Sequence, residues 1–202
     1  MSTWARARTT DPQTRQMRES ASARTAGGSH MEQGKVQVYT GDGKGKTTAA
    51  VGLAMRAAAA NLRVCFCQFM KCGPTGELDA FRLFGDLIAC EQFGTGDELS
   101  APDATADAQA AKRGLAVARD MMLSGAYDVV VLDEANVADS LGYFGPDALV
   151  DLVLERPENV ELVVTGRGAS DTLTAVADLV TEMREVKHYY EEGVLARRGI
   201  EF

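Results

Sequence analysis

Thr40-Gly41-Asp42-Gly43-Lys44-Gly45-Lys46-Thr47-Thr48 decides the fold. It follows the apolar run Lys35 to Thr40, whose pattern predicts a strand, and it opens the Ala-rich stretch Lys46 to Asn61, which predicts a helix. A strand, a glycine-rich loop, a lysine, a hydroxyl and a helix in that order are the parts of a phosphate-binding loop. Glycines at 41, 43 and 45 allow the backbone to turn its N–H groups inward, and the start of the helix adds its positive dipole end. In this reading Lys46 reaches the terminal phosphates of a nucleotide and the Thr47 hydroxyl ligates Mg2+. Thr40 stands where the general G-x4-G-K-[ST] pattern has its first glycine. The plainer alternative is a glycine-rich turn before a helix, but that does not require Lys46-Thr47 at its end.

Downstream, Val129-Val130-Val131-Leu132-Asp133-Glu134 is apolar at every position until two carboxylates arrive together. Such a run predicts a strand covered on both faces, with Asp133 and Glu134 at its C-terminal end, where open α/β sheets bind ligands. A hydroxyl and a carboxylate are the oxygen donors Mg2+ prefers. The alternative role for Asp133 is to cap a following helix. Thr165-Gly166-Arg167-Gly168 ends a further strand, so that Arg167 either clamps a phosphate oxygen or is a turn residue.

Between these motifs, strands are expected at Val64 to Met70, Leu87 to Gln92, Asp128 to Leu132, Val160 to Thr165 and, more weakly, Leu179 to Met183. Helices are expected at Glu77 to Phe84, Asp103 to Leu123, Pro146 to Leu154 and Ser170 to Ala177. The alternation predicts the α/β class: a mostly parallel sheet flanked by helices, in a RecA-like P-loop NTPase fold.

Composition sets the outer limits. With 46% hydrophobic and 25% charged residues over 202 positions, the chain can bury a full core, which excludes a disordered or disulfide-stapled protein. No stretch approaches the roughly 20 apolar residues of a bilayer span. Residues 1–30 carry five arginines against Asp11 and Glu19, a local +3, and the whole-chain charge of −8 leaves −11 for residues 31–202. A body this acidic repels a phosphate backbone, so no nucleic-acid partner is expected and any phosphate must be held locally. Residues 1–30 lack apolar periodicity and are set apart as an arm. Gly27-Gly28-Ser29-His30-Met31 resembles a vector-derived scar before a start methionine. Residues 31–202 are expected to form one domain. Cys65 and Cys67 share one face of an apolar strand, which favours core thiols over a metal site, and with Cys72 and Cys90 they suit a reducing, cytoplasmic location.

Taken in order, Gly41 to Thr48, Gln68-Phe69-Met70-Lys71, Val131-Leu132-Asp133-Glu134 and Thr165-Gly166-Arg167-Gly168 resemble the ATP:corrinoid adenosyltransferases. The tail does so most specifically, through Ala177 to Met183, Val186-Lys187-His188 and Gly193-Val194-Leu195-Ala196-Arg197-Arg198-Gly199-Ile200-Glu201-Phe202. The resemblance spans about Lys35 to Phe202, and the threonine at position 40 is the form this family's loop takes. It implies transfer of the 5′-deoxyadenosyl group of ATP to the Co(I) of a reduced corrinoid, with release of triphosphate. Position by position it gives Gly41, Asp42, Gly43, Lys44, Gly45, Lys46, Thr47 and Thr48 the triphosphate, and Arg167 a phosphate contact. It gives Thr47 and Glu134 the Mg2+, with Asp133 as a further ligand or close behind. It also implies a homodimer, a flavoprotein as a source of electrons, and an N-terminal segment able to cover the site.

One stretch departs from the family. Better-studied members carry a Phe and a Trp after a Thr-Gly pair, pressed against the lower face of the corrin, whereas Thr95-Gly96 here precedes Asp97-Glu98-Leu99. Phe81, Phe84, Phe93, Leu99, Tyr143 and Phe144 are the candidates to replace them, each with core packing as its alternative. Two other readings therefore stand beside the transferase: a nucleotide-gated corrinoid carrier and a generic P-loop ATPase.

Overall fold

The computed structural model describes residues 31–95 and 104–201. Its strands are β1 (Val36–Thr40), β2 (Val64–Phe69), β3 (Ile88–Phe93), β4 (Val129–Asp133), β5 (Glu161–Thr165) and β6 (Leu179–Glu182). They form one sheet in the order β3-β2-β4-β5-β1-β6, and every pairing is parallel. The helices are α1 (Lys46–Ala59), α2 (Gly76–Arg82), α3 (Ala104–Leu123), α4 (Ala135–Ser140), α5 (Ala148–Glu155) and α6 (Asp171–Val176). This is the α/β arrangement of a P-loop NTPase-like fold, with the sheet parallel throughout rather than mostly so. The Arg-rich arm of residues 1–30, the segment holding Asp97, Glu98 and Leu99, and Phe202 lie outside the described residues.

Period-2 alternation divides the strands between two cores. On one face Val38, Cys67, Val130, Leu132, Leu162 and Val164 meet α3 through Ala118 and Met122 and α5 through Leu149 and Leu152. On the other, Val64, Phe66, Val129, Val131 and Val163 meet the alanine face of α1, formed by Ala50, Ala54, Ala57 and Ala58. Every residue of β2, β4 and β5 is buried, which is why their sequences are apolar without alternation. The outermost strand β6 is exposed at every position. Among the described residues no helix is long and apolar enough to cross a membrane.

Cys65 and Cys67 lie fully buried with their sulfurs 3.8 Å apart. Phe81 packs on Phe66 at 4.9 Å between ring centroids, while Phe93 and Phe144 pack on Phe69 at 5.8 Å and 5.5 Å. These three aromatics thus belong to the core, the alternative set beside their ligand role. Helix α4 was not among the expected elements. It has only six residues, too few for Ala135 to Ser140 to show a helical period.

Candidate active site

Parallel strands deliver the ends of β1, β2, β4 and β5 to one edge of the sheet, so the motifs read separately along the chain meet there. The strand β5 lies between β1 and β4, with Thr165 beside Tyr39, and Asp133 lies beside Gln68 of β2.

The loop from Gly41 to Gly45 joins β1 to α1. Gly45 caps α1 at φ 123° without a side-chain hydrogen bond, so the first-turn N–H groups that no helix can satisfy internally are left for an anion. Lys46 is buried and donates to the carbonyls of Gly41 at 2.7 Å and Gly43 at 2.9 Å. Burial lowers its pKa, with Arg167 adding to the effect and Glu134 opposing it. A cleft of about 280 Å3 opens here, lined by Gly45, Lys46, Thr47, Thr48, Glu134 and Arg167, among others.

Asp133 lies beneath that cleft, fully buried, with its acceptor positions filled. Its Oδ1 accepts the hydroxyls of Thr47 at 2.9 Å and Thr165 at 2.7 Å. Its Oδ2 accepts from the Lys71 ammonium at 2.8 Å and the Gln68 amide at 3.4 Å. The next helix, α4, is capped instead by Glu134, whose backbone is left-handed at φ 60° and whose N–H donates to Thr165 Oγ1 at 3.1 Å. No described residue hydrogen-bonds the Glu134 carboxylate. Burial raises its pKa, the neighbouring Asp133 charge adds to this, and Lys71, Lys46 and Arg167 pull the other way. A hydroxyl whose hydrogen is directed at Asp133, leaving its lone pairs to the cleft that the Glu134 carboxylate also lines, is a donor set that fits a hard divalent cation.

Arg167 stands exposed on the opposite wall, its guanidinium 3.4 Å from the Asp42 carbonyl and 4.0 Å from the Asp42 carboxylate. Of the expected residues, Asp42, Gly43, Lys44, Gly45, Lys46, Thr47, Thr48, Glu134 and Arg167 line the cleft, Gly41 begins the loop with its carbonyl on the Lys46 ammonium, and Asp133 lies directly underneath. Lys44 lines the cleft with its ammonium engaged by the tail, donating to the Ile200 carbonyl at 3.1 Å and pairing with Glu201 at 3.6 Å.

The tail, whose motifs carry the resemblance most specifically, was given no site role by the sequence. Glu185, His188 and Glu201 line the cleft. The N–H of Gly43 donates to the Met183 carbonyl at 2.7 Å instead of pointing inward. A Cβ at Gly43 would lie 2.7 Å from Met183 O and Arg184 C, and one at Gly41, where φ is +93°, 2.5 Å from Met183 O. These glycines thus admit the tail's backbone as well as shaping the loop. Lys71, Gln68, Glu77 and Thr165 were likewise unassigned. The available signal was the motif Gln68-Phe69-Met70-Lys71, which sets a lysine just past the end of β2.

The fold is that of an α/β protein of the P-loop NTPase-like class, with the glycine-rich loop at the sheet edge where that class carries it. The chain matches the family described as ATP:corrinoid adenosyltransferase BtuR/CobO/CobP over residues 32–202. It is 36% identical over 172 residues to a protein of Pseudomonas aeruginosa named corrinoid adenosyltransferase, covering 85% of each chain. It is 34% identical to the protein of that name from Escherichia coli and 33% identical to corrinoid adenosyltransferase CobA of Salmonella typhimurium, covering 85% of this chain and 87% of each relative. The chain belongs to the ATP:corrinoid adenosyltransferase family.

Proposed function

We propose that this protein transfers the 5′-deoxyadenosyl group of ATP to the cobalt of a reduced corrinoid and releases triphosphate. The observation that carries the reading is the shared cleft of Lys46, Thr47, Glu134 and Arg167 in a chain that matches this family from residue 32 to 202. The Co(I) lone pair attacks C5′ of the ribose, the C5′–O bond breaks, and its electrons leave on the triphosphate while cobalt becomes formally Co(III). Because the corrinoid supplies the nucleophile, the protein needs no general base. Its work is to align C5′ with cobalt and to neutralise the leaving group.

In this reading the loop of Gly41, Asp42, Gly43, Lys44, Gly45, Lys46, Thr47 and Thr48 holds the triphosphate through the backbone N–H groups left open at the start of α1 and the Lys46 charge, while the Gly43 N–H stays on Met183, and Arg167 closes on it from β5. Thr47 and Glu134 hold Mg2+, and Asp133 orients Thr47 from below. When bound, Mg2+ supplies positive charge to the phosphate oxygens. Residues 31–202 act as one adenosyltransferase domain, working in the cytoplasm with a flavoprotein as electron source. A homodimer gives the exposed edge strand β6, with Leu179 and Val180, a surface to cover. The arm, with its +3 charge, suits a cover over bound triphosphate.

The experiment is an anaerobic incubation with ATP, Mg2+ and chemically reduced cobalamin, following the corrin spectrum and the phosphate products together. A light-sensitive alkylcobalt product with stoichiometric triphosphate is expected. ADP and phosphate without alkylation would establish an ATPase instead.

A further inference from the structure

Lys71 belongs to no part of the triphosphate site, yet several elements converge to hold it. It follows β2 directly, after Met70, whose backbone is left-handed at φ 58°, a strained conformation for a side chain of this size. Its own backbone is closely covered, since a Cβ on Gly94 would lie 2.7 Å from Lys71 N and O. From there its ammonium reaches Asp133 Oδ2 at 2.8 Å and Glu77 Oε1 at 3.4 Å. Gln68 braces both carboxylates, donating to Glu77 at 2.7 Å and Asp133 at 3.4 Å, and is itself held by Gln92 at 3.1 Å.

The carboxylate held in this way accepts the Thr47 hydroxyl hydrogen bond on its other oxygen. A hydroxyl whose hydrogen is fixed toward a carboxylate presents lone pairs in the remaining directions, and one of those directions is the cleft. Were the Asp133 carboxylate free to rotate, the Thr47 hydroxyl would sample other donors and the cation would have to order it on arrival. We infer that Lys71 is a positioning residue for the Mg2+ site: through Asp133 it fixes the Thr47 hydroxyl in the orientation that receives the cation. Outer partners of this kind typically contribute about tenfold to a hundredfold in metal affinity.

The inference rests on the reading of Thr47 as a Mg2+ ligand, and the test separates the two. Mn2+ is titrated by electron paramagnetic resonance into the full-length protein saturated with ATP, without corrinoid, and ATP affinity is measured separately in EDTA. Lys71→Met is expected to weaken Mn2+ binding about tenfold while ATP affinity in EDTA stays within about twofold. Lys71→Arg is expected to restore most of the Mn2+ affinity. If Lys71→Met lacks the near-UV circular dichroism of the unmutated protein, Lys71→Gln is read in its place. Unchanged Mn2+ affinity overturns the inference, as does an equal loss of ATP affinity in EDTA, which would mean general distortion. Thr47→Val serves as reference: if it loses Mn2+ and Lys71→Met does not, only the positioning role fails. If Thr47→Val binds Mn2+ normally, the ligand reading fails and the inference with it.

Discussion

The Gly43 amide donates to the Met183 carbonyl at 2.7 Å, so the phosphate loop rests on the backbone that follows β6. Gly43→Ala puts a methyl 2.7 Å from Met183 O and Arg184 C, both backbone atoms that cannot swing aside. The expected cost is about 1–3 kcal/mol of overpacking, relieved by lifting the tail. Limited trypsin digestion is the check. Cleavage after Arg184 and Lys187 should accelerate, and an unchanged digestion pattern would refute the packing role.

The Lys46 ammonium donates to the carbonyls of Gly41 and Gly43. Lys46→Ala removes both a loop tether and a charge for the triphosphate. A charged hydrogen bond of about 2 kcal/mol corresponds to a loss of roughly thirtyfold in ATP affinity. Calorimetric titration with ATP measures it, and full affinity in the variant would sink the assignment of the loop.

Glu134→Gln should separate stability from metal use. The Glu134 pKa lies above its ordinary 4.5, chiefly through burial and then through Asp133, so keeping the group ionised costs the folded state free energy. That cost is absent below pH 4.5 and grows as pH rises through the folded-state value. The variant in EDTA at neutral pH should therefore melt at the same temperature as the unmutated protein or about 2 °C higher. Its Mg2+-dependent turnover should fall by roughly a hundredfold. A lower melting temperature together with an unaltered Mg2+ response would contradict both expectations.

The tail carries its own pH dependence. Tyr189 donates to the Glu201 carboxylate, and the Arg197 N–H donates to it at 2.7 Å. The Tyr189 hydroxyl first, then the Arg197 guanidinium at 3.3–3.4 Å, and after them that backbone N–H hold the Glu201 pKa down to about 2 from 4.5. A depressed carboxylate contributes stability that is present above pH 4.5 and lost as pH falls toward 2. The difference in Tm between the unmutated protein and Glu201→Gln should be full at neutral pH and close across that window. A difference independent of pH would remove Glu201 from the account.

The parts of the fold visible in the sequence were those with local signals. The apolar runs of β2, β4 and β5 show no alternation because both faces are covered, and Gly41 to Thr48 is contiguous, so the sheet, the loop and the strand that ends at Asp133 could all be read directly. Arg167 was placed correctly at the same edge because parallel strands share one. The contacts that remained hidden join distant positions: Thr165 to Asp133 across 32 residues and Lys71 to Asp133 across 62. No spacing rule links such pairs. Phe81, Phe93 and Phe144 show the converse difficulty, since an aromatic at a helix or strand end has the same sequence appearance whether it packs or binds.

The contact between Lys44 and Ile200 bridges 156 positions. Contacts of such separation close late, because the loop entropy is lost before the contact repays it. The phosphate loop, contiguous in sequence, is therefore expected to gain its supporting tail late, together with the β1–β6 pairing, whose partners Gln37 and Leu179 are also far apart in the chain. ATP would then act on folding as a late trap and not as a nucleus, raising the stability of the finished protein without hastening its appearance. In refolding from denaturant, far-ultraviolet circular dichroism should recover before binding of a fluorescent ATP analogue, and simultaneous recovery would refute that order.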